Sequence, residues 1–187
     1  MSSFRSMRSA VAVGMLCAAP VVSAGHQGPP MPKPGPEHEV LKMDVGTWDA
    51  VVEIPQAPGQ PPMTSKGVEV NTLGCSGLCI ITDFKSEMMG APFHGHGVTA
   101  WDPAKKKYVG SWTDSLSAGI AIGESTYDAA AKKWTGTMEA PDPSGKLVKS
   151  RSVVEVKSPT SRVMTMYGPG PDGKEAQSLK ITYTKRK

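Results

Sequence analysis

Three groups of residues carry types and spacings that could do chemistry. His94 and His96 form His-Gly-His. On a strand, residues two apart leave the same face, so both imidazoles could meet one zinc or copper ion. Met88, Met89, Cys75 and Cys79 lie nearby in sequence and are soft ligands suited to Cu(I). No third histidine or acid completes the set at a fixed spacing, so ligand count is the weak point of a metal site. The alternative is an ordinary polar strand face beside methionines that fill core gaps.

Cys75 and Cys79 flank a Ser-Gly turn. A hairpin there can bring their Cα atoms within about 4.4–6.8 Å, the span of a disulfide. A structural bridge, two free thiols and a metal or redox pair all fit the spacing, and an oxidising compartment favours the bridge. The pair is not Cys-x-x-Cys, so a thioredoxin-like role has little support. The third group is Trp112-Thr113-Asp114-Ser115. On a regular strand Trp112 and Asp114 share a face, and an inward Trp112 places a carboxylate near a barrel mouth. There it could orient a polar ligand group or titrate abnormally. The competing role is a turn cap accepting backbone N–H groups, the commoner use of Asp-Ser at a strand end.

Other chemistries find no foothold. A Gly-x-Ser-x-Gly elbow, a phosphate-cradling loop and a dinucleotide fingerprint are absent from the sequence. No cofactor is implied. The four histidines, His26, His38, His94 and His96, all precede residue 97. Haem-binding small barrels of the nitrobindin kind use a histidine late in the chain, so that match is lacking.

These residues must be held by elements that the pattern of the chain makes legible. Residues 1–24 read as a secretory signal peptide: Arg5 and Arg8 before an apolar run, then Val22-Ser23-Ala24. The run is too short to span a bilayer stably, which takes about 20 residues, so no stable membrane insertion is expected. Cleavage after Ala24 removes two arginines and no acid, and the formal charge falls from +4 to +2. The remaining lysines are scattered among acids without a basic stripe, which argues against nucleic acid as a partner. Residues 25–36, rich in proline and glycine, read as an extended arm. Glu37 to Val45 could form one or two helical turns, with Val40 and Leu41 facing inward.

From Gly46 onward the period becomes two. Trp48, Ala50, Val52 and Ile54 alternate with Asp49, Val51 and Glu53. Leu78, Ile80, Thr82 and Phe84 form a second run, and Tyr108, Gly110, Trp112 and Asp114 a third. Trp134 with Met138, then Val148, Val154 and Val156, then Leu179, Ile181 and Tyr183 continue the theme. Turn residues separate these runs at short, even intervals. The expectation for residues 37–187 is an all-β domain, an antiparallel up-and-down barrel of about ten strands behind one short helix, since closure removes exposed edges.

Three stretches carry a family resemblance: PMPKPGPEHEVLKMDVGTWDAVVE (30–53), GVTAWDPAKKKYVGSWTDS (97–115) and SRVMTMYGPGPDGKE (161–175). Together they resemble the bacterial family called domain of unknown function 1579. The resemblance implies a calycin-type, lipocalin-like barrel and no established activity. Gly46-Thr47-Trp48 is similar to the element that opens the first strand of lipocalins, and this implies that Trp48 plugs one end. The cysteines at 75 and 79 depart from the family's usual glycine-rich turn.

Three functions remain in play. The first is an exported, periplasmic or secreted binding protein that holds a small, largely apolar molecule inside the barrel, with Tyr108, Trp112, Asp114, Met138, His94 and His96 as candidate contacts. The second is a metal-dependent or acid–base enzyme using His94 and His96 or Asp114. The third is a structural or oligomeric envelope protein without a ligand. Ligand identity and oligomeric state are not readable from the residues.

Overall fold

A computed structural model describes residues 31–187 apart from Pro58, Met89, Ala118 and Pro143. The signal-peptide reading lies outside these residues, as does the first half of the arm, residues 25–30. A seven-residue helix, α1 (Pro36–Lys42), comes first. Pro36 stands in its first turn, where a missing N–H does no harm. Ten strands follow: β1 (Gly46–Ile54), β2 (Met63–Gly74), β3 (Cys79–Met88), β4 (Ala91–Asp102), β5 (Lys107–Asp114), β6 (Ala121–Asp128), β7 (Lys133–Pro141), β8 (Leu147–Ser158), β9 (Ser161–Pro169) and β10 (Glu175–Lys185). Each strand pairs antiparallel with the next, and β1 pairs with β10, so the sheet closes into an up-and-down barrel. No helix among the described residues is long and apolar enough to cross a membrane.

The register fixes which side chains face inward. Trp48 lies opposite Glu69 and Lys185, Ala50 opposite Tyr183, and Val52 opposite Ile181. Trp101 lies opposite Tyr108, which in turn faces Ser125. The expected alternation in β1, β5 and β10 is therefore the alternation observed. Two turns share one device: Asp102 Oδ1 accepts from the N–H groups of Ala104 and Lys105, and Asp128 Oδ1 from those of Ala130 and Ala131. Four residues after each aspartate a lysine (Lys106, Lys132) takes a left-handed φ of 51°, which closes the hairpin.

The core divides along the barrel axis. One cluster joins Trp48, Ala50, Val52, Phe84, Phe93, Ile181 and Tyr183, with Trp112 and Met164 packed against it. The other joins Leu41 of α1 to Ile80 and Tyr108, with Trp101, Tyr127 and Trp134 alongside. Each large apolar side chain fully buried in this way stabilises the fold by about 1.5–3 kcal/mol. Helix α1 thus covers one end of the barrel. A helix this short is marginal alone, so tertiary contacts hold it.

Candidate functional site in the barrel interior

The chain turns from α1 into β1 at Gly46, whose φ of +128° suits glycine alone. This turn brings Asp44 to the barrel end and leaves Trp48 buried, its indole N–H donating to the Asp44 carbonyl at 2.8 Å. Arg162, on β9, lies opposite Tyr183. Its guanidinium lies between the rings of Trp48 and Tyr183, 4.5 and 4.6 Å from their centroids. One terminal nitrogen donates to Asp44 and the other to Glu69 of β2. Glu69 Oε1 also accepts from Asn71 Nδ2 at 2.6 Å, and Asn71 Oδ1 accepts from Thr82 at 2.6 Å.

This polar chain is buried: the side chains of Arg162 and Glu69 are each only 9% exposed. Burial raises the pKa of Asp44 above its usual range, against the pull of Arg162. Burial opposes the charge on Arg162 too, but Asp44 and Glu69 outweigh it, and its pKa rises. Burial, with the nearby Glu69 carboxylate adding to it, also drives the Tyr183 hydroxyl well above its ordinary value. Removing one member would strand the others without partners, the costly way to break a buried pair.

Beside the network the interior is not filled. A cavity of about 220 Å³ is lined by Arg162, Glu69, Asn71, Thr82, Trp134 and Met164, among others. A second, of about 160 Å³, is lined by Tyr108, Trp112, Met138, Gly110 and Gly123, among others. The two share Thr82, Thr99, Ser125 and Ser152 as lining and so adjoin. Glycine, serine and threonine at inward positions of β4 to β8 leave this space. Trp112 lies flat on the wall beside it: a Cβ on Gly95 would come within 2.2 Å of the Trp112 ring.

The residues singled out by sequence divide between the two faces. Tyr108, Trp112 and Met138 line the second cavity. Asp114 stands on the same face at the end of β5, where Oδ2 accepts from Trp112 Nε1 and Oδ1 from Leu116 N–H, both at 2.9 Å. His94 and His96 are exposed on the outer face, because they alternate with inward Phe93 and Gly95. His96 Nδ1 lies 2.5 Å from Asp83, also outside. A molecule held inside would touch neither histidine. Among the described residues no group of three or more His, Cys, Asp or Glu could hold a metal ion. Cys75 and Cys79 are joined as a disulfide, with Cα atoms 5.5 Å apart. Sequence reasoning missed Asp44, Glu69, Asn71 and Arg162. The available signal was the alternation of Gly67, Glu69 and Asn71 with Val68 and Val70 in β2, which naive hydrophobic patterning assigns the other way round.

A closed ten-stranded barrel, capped by a helix and enclosing a partly polar interior, is a calycin-like fold. The family model described as "Protein of unknown function (DUF1579)" matches residues 33–185, and the chain belongs to that family. No curated protein matches the sequence. Among solved structures the chain is similar to Rv2717c from M. tuberculosis, with a TM-score of 0.63 at 10% identity, over 82% of this chain and 99% of that one. It is also similar to the S-type phycobiliprotein lyase CPES from Guillardia theta, with a TM-score of 0.55 at 14% identity, over 81% and 93%. At these identities the likeness is one of fold alone.

Proposed function

We propose that this protein is an exported binding protein whose barrel interior holds a small molecule with an apolar body and a polar end. The observation that carries this reading is the pair of adjoining cavities between the two core clusters. A protein stabilised only by packing gains from filling such space, so retained space beside ordered polar groups favours a ligand. The expectation of a largely apolar ligand is refined by the lining, in which Trp134, Met138 and Trp112 stand beside Ser152, Thr99 and Arg162. Asp114 supports the turn and Trp112, since both its oxygens are engaged. The phycobiliprotein lyase shares the fold, and its substrate is not carried over.

The test combines native mass spectrometry of the protein from its own host with a titration by small aromatic probes. The expected results are a co-purified small molecule and saturable probe binding that Ser152→Leu abolishes, because Ser152 lines both cavities. A protein that carries nothing and takes up no probe overturns the reading.

A second reading, an oligomeric protein without ligand, is favoured by the outer face. Ile81 lies opposite Val98, Val98 opposite Ser111, and Ser111 opposite Ile122. These three apolar side chains are 38%, 42% and 53% exposed, on one row across four strands. Sedimentation velocity across concentrations tests it, and a monomer throughout ends it.

A further inference from the structure

We propose that the interior ligand presents a hydroxyl or an amine to Glu69, whose second carboxylate oxygen, Oε2, accepts the hydrogen bond. The proposal rests on the interior-binding reading and assigns the bound molecule a donor at its polar end.

Both hydrogen bonds that Glu69 accepts fall on one oxygen. Arg162 and Asn71 donate to Oε1, and neither reaches Oε2. The side chain is only 9% exposed, yet Oε2 is not sealed in the wall. Among the described residues Arg162 Nε is the only fully buried side-chain nitrogen or oxygen without a partner, so an unpaired Oε2 must border open space. The space that Glu69 lines is the larger cavity, of about 220 Å³. The Tyr183 hydroxyl stands near this carboxylate and lines the same cavity. Even turned towards Oε2, it would fill one of about two acceptor sites on that oxygen.

Glu69 fixes the direction of the bond. In its ion pair with Arg162 it is a carboxylate, which can only accept. The hydroxyls of Thr99, Ser125 and Ser152 line the same cavity, but a hydroxyl donates or accepts and imposes no direction. A ligand that carries acceptors alone would set lone pair against lone pair and leave a charged oxygen unmatched, a costly arrangement away from water. A hydroxyl or an amine satisfies it. Charge admits both. Asp44 and Glu69 share Arg162, so with both carboxylates ionised the group is negative and an ammonium offsets it. With Asp44 protonated, the direction in which burial pushes it, the group is neutral and suits a hydroxyl. An anion suits neither state. Leu41, Ile80, Trp134 and Met164 line the same cavity and would take the apolar body.

Four probes of nearly one size separate the possibilities: 1-phenylethanol, 1-phenylethylamine, acetophenone and ethylbenzene. Binding is measured by calorimetry and by NMR of glutamate-¹³C-labelled protein, with the Glu69 Cδ signal assigned by through-bond correlation to its own backbone. The alcohol, the amine or both should bind about 10- to 100-fold more tightly than acetophenone and ethylbenzene, the factor expected for a hydrogen bond to a charged group. Whichever does so should move the Glu69 Cδ resonance, and the preferred one gives the charge of the donor. Glu69→Gln can keep its carbonyl for Arg162 and Asn71 and turn an NH₂ group to the cavity. In that variant the alcohol should bind no better than acetophenone, and the amine no better than ethylbenzene. If the variant does not fold, the wild-type resonance and the affinity order decide. Acetophenone or ethylbenzene binding as tightly as the better donor overturns the proposal and leaves the interior reading standing. So does a donor that binds with the Glu69 signal unmoved, or one that keeps its advantage in Glu69→Gln. Binding by none of the four removes the interior reading itself, and this proposal with it.

Discussion

The indole N–H of Trp112 donates to Asp114 Oδ2 at 2.9 Å, from a position two residues earlier on the same inner face of β5. The other oxygen of that carboxylate accepts from Leu116 N–H in the turn that follows. Asp114 therefore ties the cavity wall to the loop beyond it. Asp114→Ala leaves two donors without their partner and should cost about 1–3 kcal/mol in urea unfolding. Asp114→Asn, which keeps an acceptor, should recover much of the loss. Probe affinity in the interior should change little. Unchanged stability together with lost binding would show instead that Asp114 touches the ligand.

The loop between β2 and β3 holds three consecutive residues in left-handed conformation: Cys75 at φ 52°, Ser76 at 56° and Gly77 at 89°. Two of them carry side chains that disfavour it. The disulfide from Cys75 to buried Cys79 constrains this short loop. Loop-closure entropy for so few residues predicts a loss of about 2 kcal/mol on replacing both cysteines by serine. Paired urea titrations of wild type and the double variant measure it. Coincident midpoints would mean that the bridge contributes nothing to stability.

The barrel was legible because inward residues such as Trp48, Ala50 and Val52 are apolar, while Thr47, Asp49 and Glu53 between and beside them are polar, exposed Val51 being the exception. The same logic failed where the interior is polar. In β2 the valines at 68 and 70 point outward and Glu69 and Asn71 inward, so a local pattern assigns the faces wrongly. Only register resolves it, since Glu69 lies opposite inward Trp48 and Phe84. The partners of Arg162 are 118 and 93 residues away, at Asp44 and Glu69. Such meetings follow from barrel closure and leave no trace in local spacing. His94 and His96 show the converse: their spacing places both on one face, as the sequence implied, but does not say which face.

Glu124 receives Lys105 at 2.6 Å and Lys107 at 2.8 Å, and these hydrogen bonds lower its pKa from 4.5 to about 2. Because the folded pKa lies below the unfolded one, the contribution is present above about pH 4.5 and fades as pH falls towards 2. Asp49, Asp142, Glu155 and Glu175 are lowered in the same sense by their own partners. Asp44 is shifted the other way and opposes the trend. Thermal melts of wild type and Glu124→Gln should differ at pH 7 and converge near pH 2. A difference that persists unchanged into acid would show that charge is not what Glu124 supplies.

Tyr108 fastens the helix to the barrel. Its hydroxyl donates to the Glu37 carbonyl at 2.8 Å, across 71 residues of sequence. Its ring packs edge-on against Trp101 and Trp134, at 5.0 and 4.7 Å between centroids. Tyr108→Phe keeps the ring and removes the hydroxyl, so the expected cost is about 0.5–1.5 kcal/mol. The effect should concentrate at α1. The amides of Met43, Asp44 and Val45 donate to carbonyls of Val40, Leu41 and Lys42. They should exchange with solvent faster in the variant, while those of β1 and β10 follow global stability. Burial holds the Tyr108 pKa above 10. The folded state therefore resists ionisation of this hydroxyl, and its contribution is full below pH 10 and declines above it. The advantage of wild type over Tyr108→Phe should shrink in strong alkali, a comparison that isolates Tyr108 because Tyr183 is present in both proteins. Equal stability and equal amide exchange in the two proteins would mean that packing alone holds the helix in place.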